Sequence, residues 1–567
     1  MDTAVIRVNY TGPENVTLFA TNDNCWECDL LPQVFNDCEP TTDDCLNVYK
    51  GKLANFNFSS IYPADIELRK SSDNTTVVWK AREHFVEHAT YGLNVSSSNG
   101  SIAATYGKID DGSRTVMPYL MLAVVLVWVL SCCGIFFAKK RTDSNVDKTI
   151  TPGLHEEMLP RDGSGDCHTG ELLPVTVQDT DLVVVKKERI VCLDVFRGID
   201  LFYMIFCNQG GGGYWFFDHS AWNGLNPTDF VFPWFAFIMG VTMNIGMGSQ
   251  EKKGTALWRI LLDVSIRSVK LFLLGMYCNN YRSVNTGRIP GVLQSFGFAY
   301  LVTAIAILLG RAVESPTMPV LRRAVEGAVI FVVVLIYLMV TFFLPVDGCP
   351  SGYFGPGGDS EHGAHRDCIG GAHLVVDKAI FGAAHLYQKG TSTTIYRNPG
   401  AWDPEGFLNW LMVAFCTYIG YVLGGFFLKA QDWKRKVCVL AIPGLALILL
   451  ALILCGFKIN GGWIPLNKNL WSFSYTLCTS GAGAVTLALL YLVVDKWGVW
   501  SGKPFMYNGM NSILLYVGHE TLDQHTPFGW NHDETSHFES VLVHLFAACL
   551  WTVIAYLCYR KKLFFTV

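Results

Sequence analysis

Asn208-Gln209-Gly210-Gly211-Gly212-Gly213-Tyr214-Trp215-Phe216-Phe217-Asp218-His219-Ser220-Ala221-Trp222-Asn223-Gly224 is the densest stretch of reactive groups in this chain. A histidine can move a proton or carry an acyl group near neutral pH, and an asparagine can donate or accept beside it. Four consecutive glycines suggest a phosphate cradle, but no Gly-Lys-Ser/Thr follows, so they read as backbone able to approach a ligand closely. The aromatics around His219 suit a stacking wall for a sugar or thioester arm; alone they would be an interfacial belt. Ionisable groups inside apolar stretches are rarely idle, which singles out Asp194, Arg197, Arg267, Lys270, His519 and Glu520. Lys468, between Asn467 and Asn469, joins Trp222 and Asn223 as a group suited to sugar hydroxyls or sulfate.

The elements that position these groups are membrane helices. The chain is 51% hydrophobic and 16% charged, and stretches of spanning length recur from 117–138 to 539–559, eleven in all. The net charge of -5 argues against nucleic acid as a partner. All six Asn-x-Ser/Thr sequons (Asn9, Asn15, Asn57, Asn74, Asn94 and Asn99) fall in the first 101 residues, so that segment is expected to be luminal and glycosylated. The first span then runs from lumen to cytosol. The segments this assigns to the cytosol hold 23 Lys and Arg and the luminal loops 8, as the positive-inside rule requires.

Residues 1–115 are expected to form a small β-sandwich, with strands near Val16–Leu18, Leu53–Phe58, Ile66–Leu68 and Thr75–Trp79. Residues 116–138 form the first span and 139–191 a disordered cytosolic linker, with a faint dileucine match at Glu171-Leu172-Leu173. Residues 192–567 carry the other ten spans and end in the cytosol. The opening MDTAVIRVNYTG has no apolar signal core, so the signal such a domain needs was removed or lies outside this sequence. Seven cysteines are luminal by this map: Cys25, Cys28, Cys38, Cys45, Cys349, Cys368 and Cys278. Structural disulfides are the expected use, with no metal and with the pairing open. Cys278 is the odd one over and could bridge two protomers.

The segment LDVFRGIDLFYMIFCNQGGGGYWFFDHSAWNGLNPTDFVFPWFAFIMG resembles the signature of the lysosomal heparan-α-glucosaminide N-acetyltransferases. RIPGVLQ (288–294), DGCPSGYFGPGG (347–358), AHLYQ (384–388), DPEG (403–406), IPLNKNLWS (464–472), GMNSILLYVGHE (509–520) and YRKK (559–562) follow in order, so the likeness spans roughly 190–567. In that family the histidine of an HxSWNG-type loop is catalytic and an asparagine ending the preceding span assists it. These fall on His219 and Asn208. This chain writes HSAWNG for HASWNG, and has Gln209 and Asp218 where the family carries an aromatic and a basic residue.

The resemblance implies a lysosomal membrane enzyme that moves acetyl from cytosolic acetyl-CoA to the amine of a terminal α-glucosamine of heparan sulfate, and it favours a homodimer in the lipid. His219 would act as general base or acetyl acceptor, and Asn208 would donate to the oxyanion. Asp194, Arg197, Arg267 and Lys270, at the cytosolic ends of their spans, are the candidates for CoA phosphates. A polytopic transporter of a small metabolite or acyl-CoA is the alternative, though no motif repeats between two halves of the chain. A passive scaffold would leave the intramembrane charges unexplained.

Overall fold

The structure, a computed structural model, describes residues 2–111 apart from 13, 35, 37–44, 52, 99 and 100, and residues 190–566 apart from 281–286, 314–318, 389 and 524. The expected first span, nearly all of the linker, Cys38 and Asn99 lie outside the described residues.

Strict alternation builds the N-terminal domain. In β1 (Thr3–Tyr10), Ala4, Ile6, Val8 and Tyr10 point inward while Arg7 and Asn9 face out. β1 pairs antiparallel with β5 (Leu53–Ser59) and parallel with β8 (Thr90–Ser98), which pairs with β9 (Ser101–Asp110). The second sheet runs β3 (Leu31–Pro32), β2 (Val16–Asn22), β6 (Ala64–Lys70), β7 (Val77–Glu83), with β4 (Asn47–Val48) also on β2. Ile6, Phe56 and Leu93 of one sheet meet Leu18, Ile66 and Leu68 of the other in a dry core. Three of the four strands expected from sequence fall within β2, β5 and β6, and the fourth, Thr75–Trp79, overlaps the start of β7; β1, β8 and β9 were not anticipated. Asn9, Asn57 and Asn94 project from the outer face of the first sheet, and they, Asn15 and Asn74 are all exposed.

The helices are α1 (Val191–Asn208), α2 (Val231–Lys252), α3 (Leu257–Asn280), α4 (Val292–Ala312), α5 (Pro319–Phe343), α6 (Ala372–Phe381), α7 (Thr391–Tyr396), α8 (Phe407–Lys429), α9 (Trp433–Leu454), α10 (Phe473–Leu490), α11 (Phe505–Met510), α12 (Ser512–Leu522) and α13 (His537–Arg560). Among the described residues, seven are long and apolar enough to cross a membrane: α2, α4, α5, α8, α9, α10 and α13, some with their flanking turns. The protein is therefore a polytopic helical membrane protein with a small N-terminal β domain. That measure does not confirm the expected count of eleven, of which the first span lies outside the described residues. α3 carries Arg259, Asp263, Arg267 and Lys270, and the span expected over 505–522 is two helices that break at Asn511, where φ is -125° and ψ is 37°.

Glycines bring helix backbones into direct contact. A Cβ on Gly240 of α2 would lie 1.8 Å from the Thr417 carbonyl of α8, and one on Gly420 of α8 would lie 2.1 Å from the Phe237 carbonyl of α2. Gly198 of α1 and Gly509 of α11 meet the Phe505 and Asp194 carbonyls in the same way. Gly420→Val is expected to destabilise the protein by about 3 kcal/mol. Gly246→Ala, with open space around it on α2, stays within roughly 0.5 kcal/mol of wild type. Thermal unfolding of the two variants in detergent checks the contrast.

The β domain sits on the loops at one end of the bundle. Tyr396 donates to the Asn24 carbonyl (3.2 Å), the His362 amide donates to the Glu27 carbonyl (2.8 Å), and His362 Nδ1 meets Asp29 at 2.7 Å. Cys25 and Cys28 are disulfide-bonded and pack in the cluster formed by Trp222, Tyr396 and Trp402. Cys349 and Cys368 form a second disulfide, and Cys45 is also disulfide-bonded.

Candidate active site

Past Asn208 the chain turns through Gly210–Gly213 with φ of 114°, 55°, 72° and 73°, a left-handed run that only glycine adopts freely. What the glycines approach is not a ligand but α13. The Gly212 amide donates to His544 Nδ1 (2.9 Å) and the Gly212 carbonyl accepts from His537 Nδ1 (2.9 Å). A Cβ on Gly212 would sit 2.2 Å from Val541 Cγ2. The following aromatics also pack on protein: Tyr214 stacks on His537 at 4.1 Å, and Phe217 stands edge-on to Phe206 at 5.1 Å. The expected stacking wall is therefore part of the scaffold.

His219 owes its orientation to a residue that the sequence reading missed. Asn226-Pro227-Thr228-Asp229 opens the turn before α2 as a capping box, with Pro at its first positions. The fully buried Asp229 carboxylate accepts from the Asn226 amide (2.8 Å), the Ser220 amide (3.3 Å) and His219 Nδ1 (2.8 Å). Nδ1 must be the protonated nitrogen, because a carboxylate only accepts. Nε2 is left with its lone pair, the nitrogen a base or nucleophile uses. Asp218, the neighbour considered from sequence, is not this partner. The signal was visible in Asn-Pro-x-Asp, an N-cap followed by an acid three positions on.

Asn208, the last residue of α1, is held from two sides. His519 Nδ1 donates to the Leu515 carbonyl (3.1 Å), and its Nε2 lies 3.1 Å from Asn208 Nδ2 and 3.4 Å from Glu520 Oε1. Asn208 Nδ2 also donates to Glu520 Oε1 (3.4 Å). His519, 2% exposed, and Glu520 thus position Asn208 at the cavity.

His219, Asn208, Glu520 and Lys468 line one cavity of about 380 Å³, with Met204, Val231 and Phe232 among its apolar walls and Arg288, Glu405, Tyr387 and Trp402 also present. Lys468 is 8% exposed. Burial lowers its pKa, with Asp229 and Glu405 pulling the other way. Its ammonium makes no hydrogen bond or ion pair among the described residues. Arg288 is bound by Asp403 (2.8 and 2.9 Å) and by Glu405.

Several expected site residues lie elsewhere. Trp222 is buried against Trp402, its indole nitrogen donating to the Phe354 carbonyl (2.6 Å). Asn223 forms an antiparallel bridge to Asn467 and accepts from its side chain (2.9 Å). Both support the cavity; Asn223 fixes the loop that carries Lys468. Cys278 is buried and lines the cavity, so it cannot reach a second protomer without unpacking α3. Arg267 lies 4.7 Å over the Tyr300 ring, and it and Lys270 are exposed away from the cavity. Asp194 and Arg197 face each other at 3.7 Å, and Arg197 donates to the Gly509 carbonyl (3.1 Å). They tie α1 to α11 about 16–21 Å along the helix from Asn208.

Comparison with known proteins decides the family. The heparan-alpha-glucosaminide N-acetyltransferase of Mus musculus is 32% identical over 601 residues, an alignment spanning 100% of this chain and 89% of the mouse protein. The Homo sapiens protein of the same name is 32% identical over 582 residues, covering 98% of this chain and 86% of its own length. The chain belongs to the heparan-alpha-glucosaminide N-acetyltransferase family. It is an acyltransferase. No protein-family model matches it. In this heparan-alpha-glucosaminide N-acetyltransferase relative, the cavity is where a nitrogen base, a buried lysine and two carboxylates converge.

Proposed function

We propose that the protein moves the acetyl group of acetyl-CoA to the amine of a terminal non-reducing α-glucosamine of heparan sulfate, with His219 as general base. The observation that carries this is the His219–Asp229 pair, which occupies Nδ1 of a histidine that lines the same cavity as Asn208 in a member of this family. As the amine attacks the thioester carbonyl, Nε2 takes its proton while the N–C bond forms. Lys468, a cavity cation not committed elsewhere, stabilises the oxyanion in place of Asn208. Collapse breaks the C–S bond, and the thiolate recovers the proton from Nε2 and leaves as free CoA. The Asn208 oxygen accepts from the amine and aims it, and Glu405 and Glu520 meet sugar hydroxyls.

In this reading the β domain and the cavity mouth face the lysosomal lumen and carry the glycans, the C-terminus is cytosolic, and the protein works as a homodimer. CoA enters from the opposite side, with its phosphates at the Asp194–Arg197 end of α1. Lys468→Met is expected to lower kcat by about a hundredfold with little change in affinity for acetyl-CoA; steady-state kinetics with an α-glucosaminide acceptor reads this. The function itself is tested with full-length protein in detergent, given acetyl-CoA and that acceptor. N-acetylated product with stoichiometric free CoA supports a transferase. Acetyl-CoA that binds and is recovered intact, with no product, points to a transporter.

A further inference from the structure

His537, at the start of α13, sits where three parts of the molecule meet. Its Nδ1 donates to the Gly212 carbonyl (2.9 Å) in the loop that leads to His219. Its ring stacks on Tyr214 at 4.1 Å with the planes 6° apart. Its Nε2 faces the β domain, 2.9 Å from Glu87 Oε1 and 3.5 Å from Asp2 Oδ1, and the side chain is 3% exposed. Because Nδ1 spends its hydrogen on a carbonyl, a neutral ring would turn the Nε2 lone pair onto two carboxylates, a repulsion in a buried place. A positive ring turns that repulsion into attraction.

We propose that His537 is a proton-operated latch between the β domain and the glycine loop. As imidazolium it donates from Nδ1 to Gly212 and sets its positive Nε2 edge against the Glu87 and Asp2 carboxylates as an ion pair, which holds the domain on the bundle. As neutral imidazole it loses the Glu87 and Asp2 contacts, so the domain loosens and uncovers the loop, on which Tyr62 packs against Trp215, while Gly212 keeps its bonds to His537 and His544. The sign follows directly: the protonated form closes the latch, so closure is complete below an ordinary histidine's pKa of ~6.5 and fades as pH climbs through and above it. The other titratable groups facing this point are His88, 3.3 Å from Glu87, and Tyr214 and Asp218 on the glycine loop. His544 and His532 lie on the α13 side and face each other at 5.6 Å. Burial raises the pKa of Asp218 and Tyr214 and so favours their neutral forms. Asp2, Glu87 and His537 offer ligand atoms within 4.8 Å of one another, so a divalent cation is the rival occupant. The 2.9 Å Nε2–Glu87 contact is a direct ion-pair distance, shorter than the ~3.3 Å between tetrahedral zinc ligands at ~2.0 Å each. The latch does not depend on the acetyl-transfer reading.

Hydrogen exchange of the full chain in detergent with EDTA, from about pH 5 to about pH 8, reads it in peptides covering 84–90 and 210–216. Protection factors corrected for intrinsic exchange are expected to fall in wild type by up to ~tenfold per pH unit above the midpoint. His537→Gln and Glu87→Gln are expected to be flat. Glu87→Gln keeps the histidine and its Gly212 bond, so the test survives misfolding of His537→Gln. A flat wild-type profile, or a Glu87→Gln profile with the wild-type slope, overturns the proposal. So does wild-type protection near pH 8 that zinc chloride restores in EDTA-free buffer, which would make the cluster a metal site.

Discussion

Asp229→Asn folds, binds both substrates, and transfers acetyl about a thousandfold or more slowly than wild type. The carboxylate accepts three hydrogen bonds, from His219 Nδ1 and from the Ser220 and Asn226 amides. A carboxamide has one oxygen. If that oxygen serves the two backbone amides, the NH₂ group faces His219 and forces the ring into the tautomer whose Nε2 carries hydrogen, which is no base. If it serves His219, the NH₂ group confronts a backbone donor and the cap weakens by about 1 kcal/mol. Asp229 is buried and does not line the cavity, so the loss belongs in kcat, with KM within about threefold of wild type. Steady-state kinetics separates the two. A proportionate rise in KM would show that Asp229 shapes the cavity rather than the base.

Arg288→Met should be the most destabilising single change near the site, by about 3–5 kcal/mol. The guanidinium binds Asp403 on two nitrogens and also Glu405, with Asp403 fully buried and Glu405 nearly so. Removing it leaves two carboxylates of like charge without a cation. Lysine does not replace it, since a point charge cannot reproduce the fork. Asp403 also accepts from the Tyr387 amide (3.0 Å), so the loop carrying Tyr387 should loosen together with the DPEG turn. Thermal unfolding in detergent checks this, and adding Asp403→Asn and Glu405→Gln to the Met variant should restore part of the loss. A Met variant within about 1 kcal/mol of wild type would mean that the carboxylates are neutralised some other way.

The parts of the molecule legible in the sequence follow from local rules. Apolar runs mark the helices because lipid demands internal backbone satisfaction, and β-branched strands broken by Asn, Asp and Gly mark the sandwich. His219, Asn208, Glu520 and Lys468 share a cavity as hoped because each ends or follows a helix at the same pole. What was missed depends on distant packing. The glycine run looks ligand-directed until α13, more than three hundred residues on, fills its inner face with His537 and His544. Trp222 and Asn223 stand next to the key histidine in sequence, yet their partners Phe354 and Asn467 make them supports. The partners that orient Asn208, His519 and Glu520, lie more than three hundred residues on. Asp229 alone was recoverable, from its capping box.

The central claim is that Nε2 of His219 does the chemistry. The most direct test compares wild type with His219→Ala, full length in detergent, scoring N-acetylated glucosaminide and free CoA alongside acetyl-CoA binding and thermal stability. The account predicts normal folding and normal acetyl-CoA binding with transfer reduced by about 10³-fold or more. A variant that folds, binds and still acetylates at the wild-type rate would contradict it and move the base elsewhere in the cavity.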